Sequence, residues 1–226
     1  KINSNKSHEG LFPRMWSSDN AVNYLNYYGF LDFEIKSEYK NESQIIELVN
    51  GFKSRIANDD VDANDYHEFL SNFGSYLDIE KPSLLSNISY FINFQLSKMY
   101  FRYFMWNFSG RQNDKQWKYD LENGNWISGI NVIDEYRLGP QKNLPSDVIN
   151  NKARNQYYLI PFILGIIGLI FIFKKNFQIF WPIFLLFIFT GIALKFYLNE
   201  RVFEPRERDY ALVGSFYAYC IFIGFS

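Results

Sequence analysis

Residues 157–173, YYLIPFILGIIGLIFIF, form an uncharged run of about 17 positions, near the lower limit for a helix crossing a hydrocarbon layer ~30 Å thick. The two leading tyrosines suit a membrane–water boundary, where the ring is buried and the hydroxyl stays wet. After Lys174, Lys175 and Asn176 a second run, residues 177–198, extends for about 22 positions. Only Lys195 interrupts it, close enough to the end for its ammonium to snorkel outward on an apolar stem. Pro182 falls in the first turns, where it is tolerated. A third run begins near Tyr210 and is still apolar at Ser226, which reads as a truncated third span. Surface-lying core helices would carry a polar face, whereas these runs are apolar all round. The sequence therefore predicts transmembrane helices near 157–173, 177–198 and 210–226.

The material before Gln156 has a different character. Across the chain 23 Lys+Arg face 24 Asp+Glu, a net charge of -1 that gives no electrostatic reason for nucleic-acid binding. Aromatic residues make up 20% of the chain, yet mean hydropathy is -0.21, so polar and apolar segments must be segregated. The single cysteine, Cys220, excludes an intramolecular disulfide, and two histidines, His8 and His67, cannot assemble a Cys/His zinc site within the chain. The chain opens on Lys1 and stops inside an apolar run, so it is expected to be an internal piece of a longer protein.

The polar region reads as helical rather than as sheet. Val22, Leu25 and Tyr28 recur at helical spacing between a Ser17 or Ser18 cap and Gly29. Ile45, Leu48, Val49, Phe52 and Ile56 make a second stripe, and Tyr66, Phe69, Leu70, Phe73 and Leu77 a third. An aromatic helix is expected over 83–108, capped by Ser83, either lying at a membrane interface or packed on other membrane helices, with an ordinary core helix as the plainer reading. Residues 113–145 read as a structured loop. The fold class is all-α: an integral membrane protein with three transmembrane helices after a mainly helical region, residues 1–156.

The usual soluble-enzyme signatures, GxxxxGK[ST], GxGxxG, GxSxG and HExxH, are missing. What remains is polar clusters beside the spans. In EPRERDY, Arg206 and Arg208 can fork onto phosphate oxygens while Glu207 or Asp209 orients them or accepts a proton; the plainer reading is a loop of surface ion pairs. In NFSGRQND, Arg111, Asn113 and Asp114 can surround a polar head group or sugar hydroxyls, while Gly110 and Arg111 equally serve to end the aromatic helix. Trp126 offers a stacking platform and Arg137 an anion contact. No metal site is assigned, and these carboxylates leave a divalent metal open.

The succession FPRMWSSD, YFRYFMWNFSGRQND, GNWISGI, RLGPQKNLP, NQYYLIPFILGIIGL, TGIALKFYLN and EPRERDYALVGSFYA resembles bacterial multi-span membrane proteins of unknown function, a family similar to the animal membrane O-mannosyltransferases. The resemblance covers most of 90–226 and residues 11–19; 32–89 shows no such motif. It implies a GT-C type glycosyltransferase of the bacterial inner membrane that passes a mannose-like sugar from a polyprenyl-phosphate donor to Ser or Thr hydroxyls of an acceptor protein. It also implies a periplasmic 1–156, although Lys152, Arg154, Arg201, Arg206 and Arg208 on that side would favour the cytoplasm by charge alone. The family's catalytic acid follows the first span, which is not in this sequence, so the piece alone is expected to be inactive. Arg206, Glu207, Arg208, Asp209, Arg111, Asn113 and Asp114 are then donor contacts, with lipid, lipid-linked sugar and acceptor protein as partners. The rival is a non-catalytic membrane scaffold or envelope assembly protein, in which the same charges dock a partner. A transporter would need an ionisable residue at mid-membrane depth, which none of the runs shows.

Overall fold

The computed structural model describes residues 29–80, 82–116, 120–200 and 209–226. The helix expected at 18–28 and the residues Arg206, Glu207 and Arg208 lie outside them. The described chain is mostly helical and divides into two compact units, Lys1–Ser89 and Tyr90–Ser226.

In the first unit, strand β1 (Phe33–Ile35) is followed by helices α1 (Ser43–Ala57) and α2 (Ala63–Phe73) and by strand β2 (Leu77–Ile79). The second stripe of the sequence becomes α1 and buries Val49 and Phe52; the third becomes α2 and buries Tyr66 and Phe69. Asp62 caps α2 through the amides of Asn64 and Asp65, and Asp65 returns the bond to the Asp62 amide. The helical reading holds for most of this unit, and two three-residue strands are added to it. Leu77 continues a helical row in sequence, yet it pairs with Ile35 in an antiparallel strand whose three residues are too short to show a period of two. The core is aromatic: Phe52 stacks on Phe69 with centroids 3.8 Å apart, and Phe33 packs against both. The Tyr66 hydroxyl donates to Leu31 O at 2.7 Å in this interior. Tyr66→Phe leaves that carbonyl buried and unpaired, so urea denaturation is expected to show a loss of about 1–3 kcal/mol.

The aromatic helix is found as three consecutive segments, α3 (Leu84–Tyr90), a π-helix (Phe91–Phe101) and α4 (Arg102–Phe108). Ser83 Oγ accepts from the Ser86 amide at its start, as expected. In the π-helix the ladder widens to five residues, with Arg102 N donating to Ser97 O, and the buried side chains fall five apart: Phe94 and Met99, Gln95 and Tyr100. α4 sends Phe104, Met105 and Phe108 into a cluster with Ile172, Phe180, Tyr219 and Phe222. The aromatic face is therefore packed on the apolar helices. Residues 113–145 hold two turns of helix not foreseen, α5 (Asn131–Leu138), too short to carry a readable periodicity. A further turn, α6, covers Ser146–Ile149.

The apolar runs form α7 (Ile160–Lys175), α8 (Phe177–Phe189), α9 (Ile192–Leu198), a 3-10 turn (Asp209–Leu212) and α10 (Val213–Ile223). Among the described residues one helix, Phe177–Leu198, is long and apolar enough to cross a membrane. α7, with 16 residues, rises about 24 Å, and Asp209–Ile223 is shorter still. Phe177–Leu198 bends at Thr190, whose hydroxyl bonds back to Leu186 O. Gly191 and Thr190 there meet Ser215 and Gly214 of α10 at close range, and Tyr100 reaches the same crossing to share a 2.8 Å hydrogen bond with Ser215 Oγ.

Candidate functional site

The chain leaving α4 runs between two neighbouring strips. β3 (Gly110–Arg111) pairs antiparallel with β4 (Asn155–Gln156), while Ile127 N donates to Gly110 O and Gln112 N to Asn125 O, each at 3.0 Å. Gly110 is required: its φ is +151°, and a Cβ would press on the backbone oxygens of Asn155 and Ile127. Held this way, Arg111 places its Cζ 4.6 Å from the Trp106 ring centroid. Asn113 turns inward: its Oδ1 accepts from Gly124 N at 2.8 Å and Lys115 N at 3.2 Å, and its Nδ2 donates to Glu122 O. Both ends of that amide are taken by its own loop. Asp114 is exposed.

Cations gather around the two tryptophans. Arg102, buried, lies 5.4 Å from the Trp106 centroid and donates from Nη1 to Gly124 O. Arg137 sits 3.4 Å above Trp126 and donates to its carbonyl, so the platform and the anion contact read from sequence are one stacked pair. Burial pushes Arg137 and Arg154 below the usual arginine value, with the Asp134 charge opposing the shift. Lys98 is lowered by burial first and then by Arg102 and Arg137. Asp134 itself is spent on the loop ahead of α5, accepting from Ser128 N, Ser128 Oγ and Gly129 N at 2.8–2.9 Å. Among the described residues no carboxylate lies within ion-pair distance of Arg111, Arg137 or Arg154. Trp106 Nε1, Arg111 Nε and an Arg154 guanidinium nitrogen are buried donors without partners, each desolvated at a cost of about 1–3 kcal/mol. A surface rich in donors and poor in carboxylates suits an oxyanion.

A second polar centre lies at the end of α9. Asn199 adopts the left-handed conformation, φ 44°, which asparagine tolerates, and turns Glu200 back over the helix end. Lys195 Nζ then meets Glu200 Oε2 at 2.5 Å, with side chains 1% and 4% exposed. Lys195 is a buried ion-pair partner rather than a snorkelling lysine. Gln95 Nε2 donates to Asn199 Oδ1 at 2.7 Å and to Glu200 O at 3.3 Å, and the Tyr90 hydroxyl donates to Glu200 O at 2.9 Å. The charges of Asp209 and Arg102 act on Lys195 in opposite senses. Gln95 Oε1 and Glu200 Oε1 are buried with no hydrogen-bond partner.

Residues 1–92 match a family of unknown function (DUF8416). The match takes in the whole first unit and ends two residues into the π-helix, so neither Arg111 nor Lys195 is within it. No curated protein and no solved structure matches the chain.

Proposed function

We propose that the chain is part of a GT-C type membrane glycosyltransferase that transfers a mannose-like sugar from a polyprenyl-phosphate donor to Ser or Thr hydroxyls of an acceptor protein. The observation that carries this reading is the set of unpartnered buried donors on Trp106, Arg111 and Arg154 in a second unit dominated by apolar helices. A lipid phosphate supplies both the acceptors these donors need and an apolar tail suited to the neighbouring helices. On this reading α7, Phe177–Leu198 and the helix beginning at Asp209 all cross a bacterial inner membrane, and residues 1–156 are periplasmic. The exposure of these helices supports it: only 11% of the most apolar window in Phe177–Leu198 is buried, and Ile163, Ile167, Ile170 and Phe189 face outward.

In the complete protein, Arg111→Ala is expected to reduce sugar transfer by about 10- to 100-fold, the worth of a charge-assisted hydrogen bond, with membrane insertion intact. Arg206→Ala with Arg208→Ala should abolish it. Transfer at the wild-type rate in both variants would remove the glycosyltransferase reading and leave a membrane scaffold as the better account.

A further inference from the structure

A helix on a protein surface normally turns its apolar side chains inward and its charges outward. α5 does the reverse. Asp134 is 3% exposed and held by the amides of Ser128 and Gly129, and Arg137 folds back on Trp126, so the charged side of the helix is the one packed on the protein. The side left outside carries Val132 and Tyr136, one turn apart and 80% and 92% exposed. With Asp134 and Arg137 both fixed, α5 has no freedom to roll that pair inward. The exposure is built in, and its surroundings say what covers it. A Cβ on Gly129, just before the Ile130 cap of α5, would meet the Tyr158 ring at 3.0 Å, and Tyr158 stands just before the Leu159 cap of α7. The two helices therefore start within one ring of each other, with Tyr158 itself 54% exposed between them and Ile160 and Ile163 facing outward on α7. Asn131, exposed, and Glu135, half-buried, flank Val132 and Tyr136; such groups exclude the hydrocarbon interior but suit the headgroup layer, as does a tyrosine whose hydroxyl stays wet.

We infer that α5 is an interfacial helix, seated in the headgroup layer beside the mouth of α7, with Val132 and Tyr136 inserted at the boundary between headgroups and acyl chains. The partner on this face is the bilayer itself. The inference rests on the membrane part of the proposed function and is independent of sugar transfer. It goes further in fixing a depth: Arg137 and the Trp126 ring it covers sit at the level of lipid phosphates, so the donor-rich surface meets its oxyanion in the plane of the membrane.

The test uses the full chain in lipid nanodiscs, with Cys220→Ser removing the single cysteine and an environment-sensitive fluorophore attached at Val132→Cys or, separately, Tyr136→Cys. Comparison positions are Ile167→Cys, outward on α7, and Glu47→Cys, exposed on α1. Both α5 labels are expected to emit to the blue of the Glu47 label and to be shielded from iodide. Lipids with a nitroxide near the headgroup should quench them more than lipids with one at the chain end, at a depth of about 5–10 Å into the boundary. The Ile167 label should show the opposite preference. If the α5 labels behave like the Glu47 label while the Ile167 label is quenched, the inference is overturned and the membrane reading stands. An unquenched Ile167 label removes the membrane reading and this inference with it. Shielding from iodide without quenching by either lipid puts a protein, such as a second copy of the chain, on α5 and overturns the inference as well. Both α5 side chains are exposed, so neither substitution disturbs the packing, and either position alone is enough to decide.

Discussion

Lys195→Met is expected to cost about 3–5 kcal/mol of stability, because it strands the Glu200 carboxylate in an interior where the side chain is 4% exposed. A buried charge without its partner is far less stable than either an intact pair or an uncharged replacement. Lys195→Met combined with Glu200→Gln should therefore recover most of the loss, since an amide retains polar contacts without an ion to desolvate. Thermal unfolding of the protein in detergent, run as a double-mutant cycle, measures both steps. If Lys195→Met alone melts with the wild type, the pair is solvated and the account of this helix end is wrong.

Gly168→Val has the second largest expected effect. A Cβ on Gly168 would fall on the Phe222 carbonyl of α10, and one on Gly165 would fall in the Tyr219 ring. Tyr219 is itself tied across the same contact, donating to Phe162 O at 2.6 Å. Backbone cannot step aside as a side chain does, so the two helices must separate, which overpacking data put at about 1–3 kcal/mol before any loss of the Tyr219 bond. The matched control is Gly51 in α1, where nothing lies within 4 Å of an added Cβ. Gly51→Ala should raise stability by about 0.5–1 kcal/mol through helix propensity alone. Equal melting temperatures for Gly168→Val and the wild type would show that α7 and α10 do not pack at this distance.

The stripe from Ile45 to Ile56 was readable because five apolar residues at helical spacing admit one period, and it gave α1 with Val49 and Phe52 inside. Leu77 misled, since one leucine fits the end of a helical row as well as the start of a strand. Arg111 stood out by its cluster, but Trp106, Arg102 and Arg154 did not. Arg102 and Trp106 are neighbours on α4, and Arg111 reaches the same ring because β3 and β4, two residues each and bridged across 44 positions by Asn155, hold the chain that leaves that helix. Pairings that short leave no alternation to read. Lys195 was placed correctly near a helix end and assigned the wrong environment, because the left-handed turn at Asn199 that returns Glu200 has no periodic signature.

The π-helix at Phe91–Phe101 makes this stretch more sensitive to length than to composition. Its wider turns hold one residue more than an α-helix of the same ladder, and that surplus sets the angular phase of everything downstream. Conservative exchanges among its apolar side chains leave the phase alone. Inserting a residue that the ladder cannot absorb would rotate the following chain by about 100°, swinging Phe104, Met105 and Phe108 off the apolar helices they pack on. Frame within the helix, more than the identity of its aromatics, is what keeps α4 seated on the apolar helices.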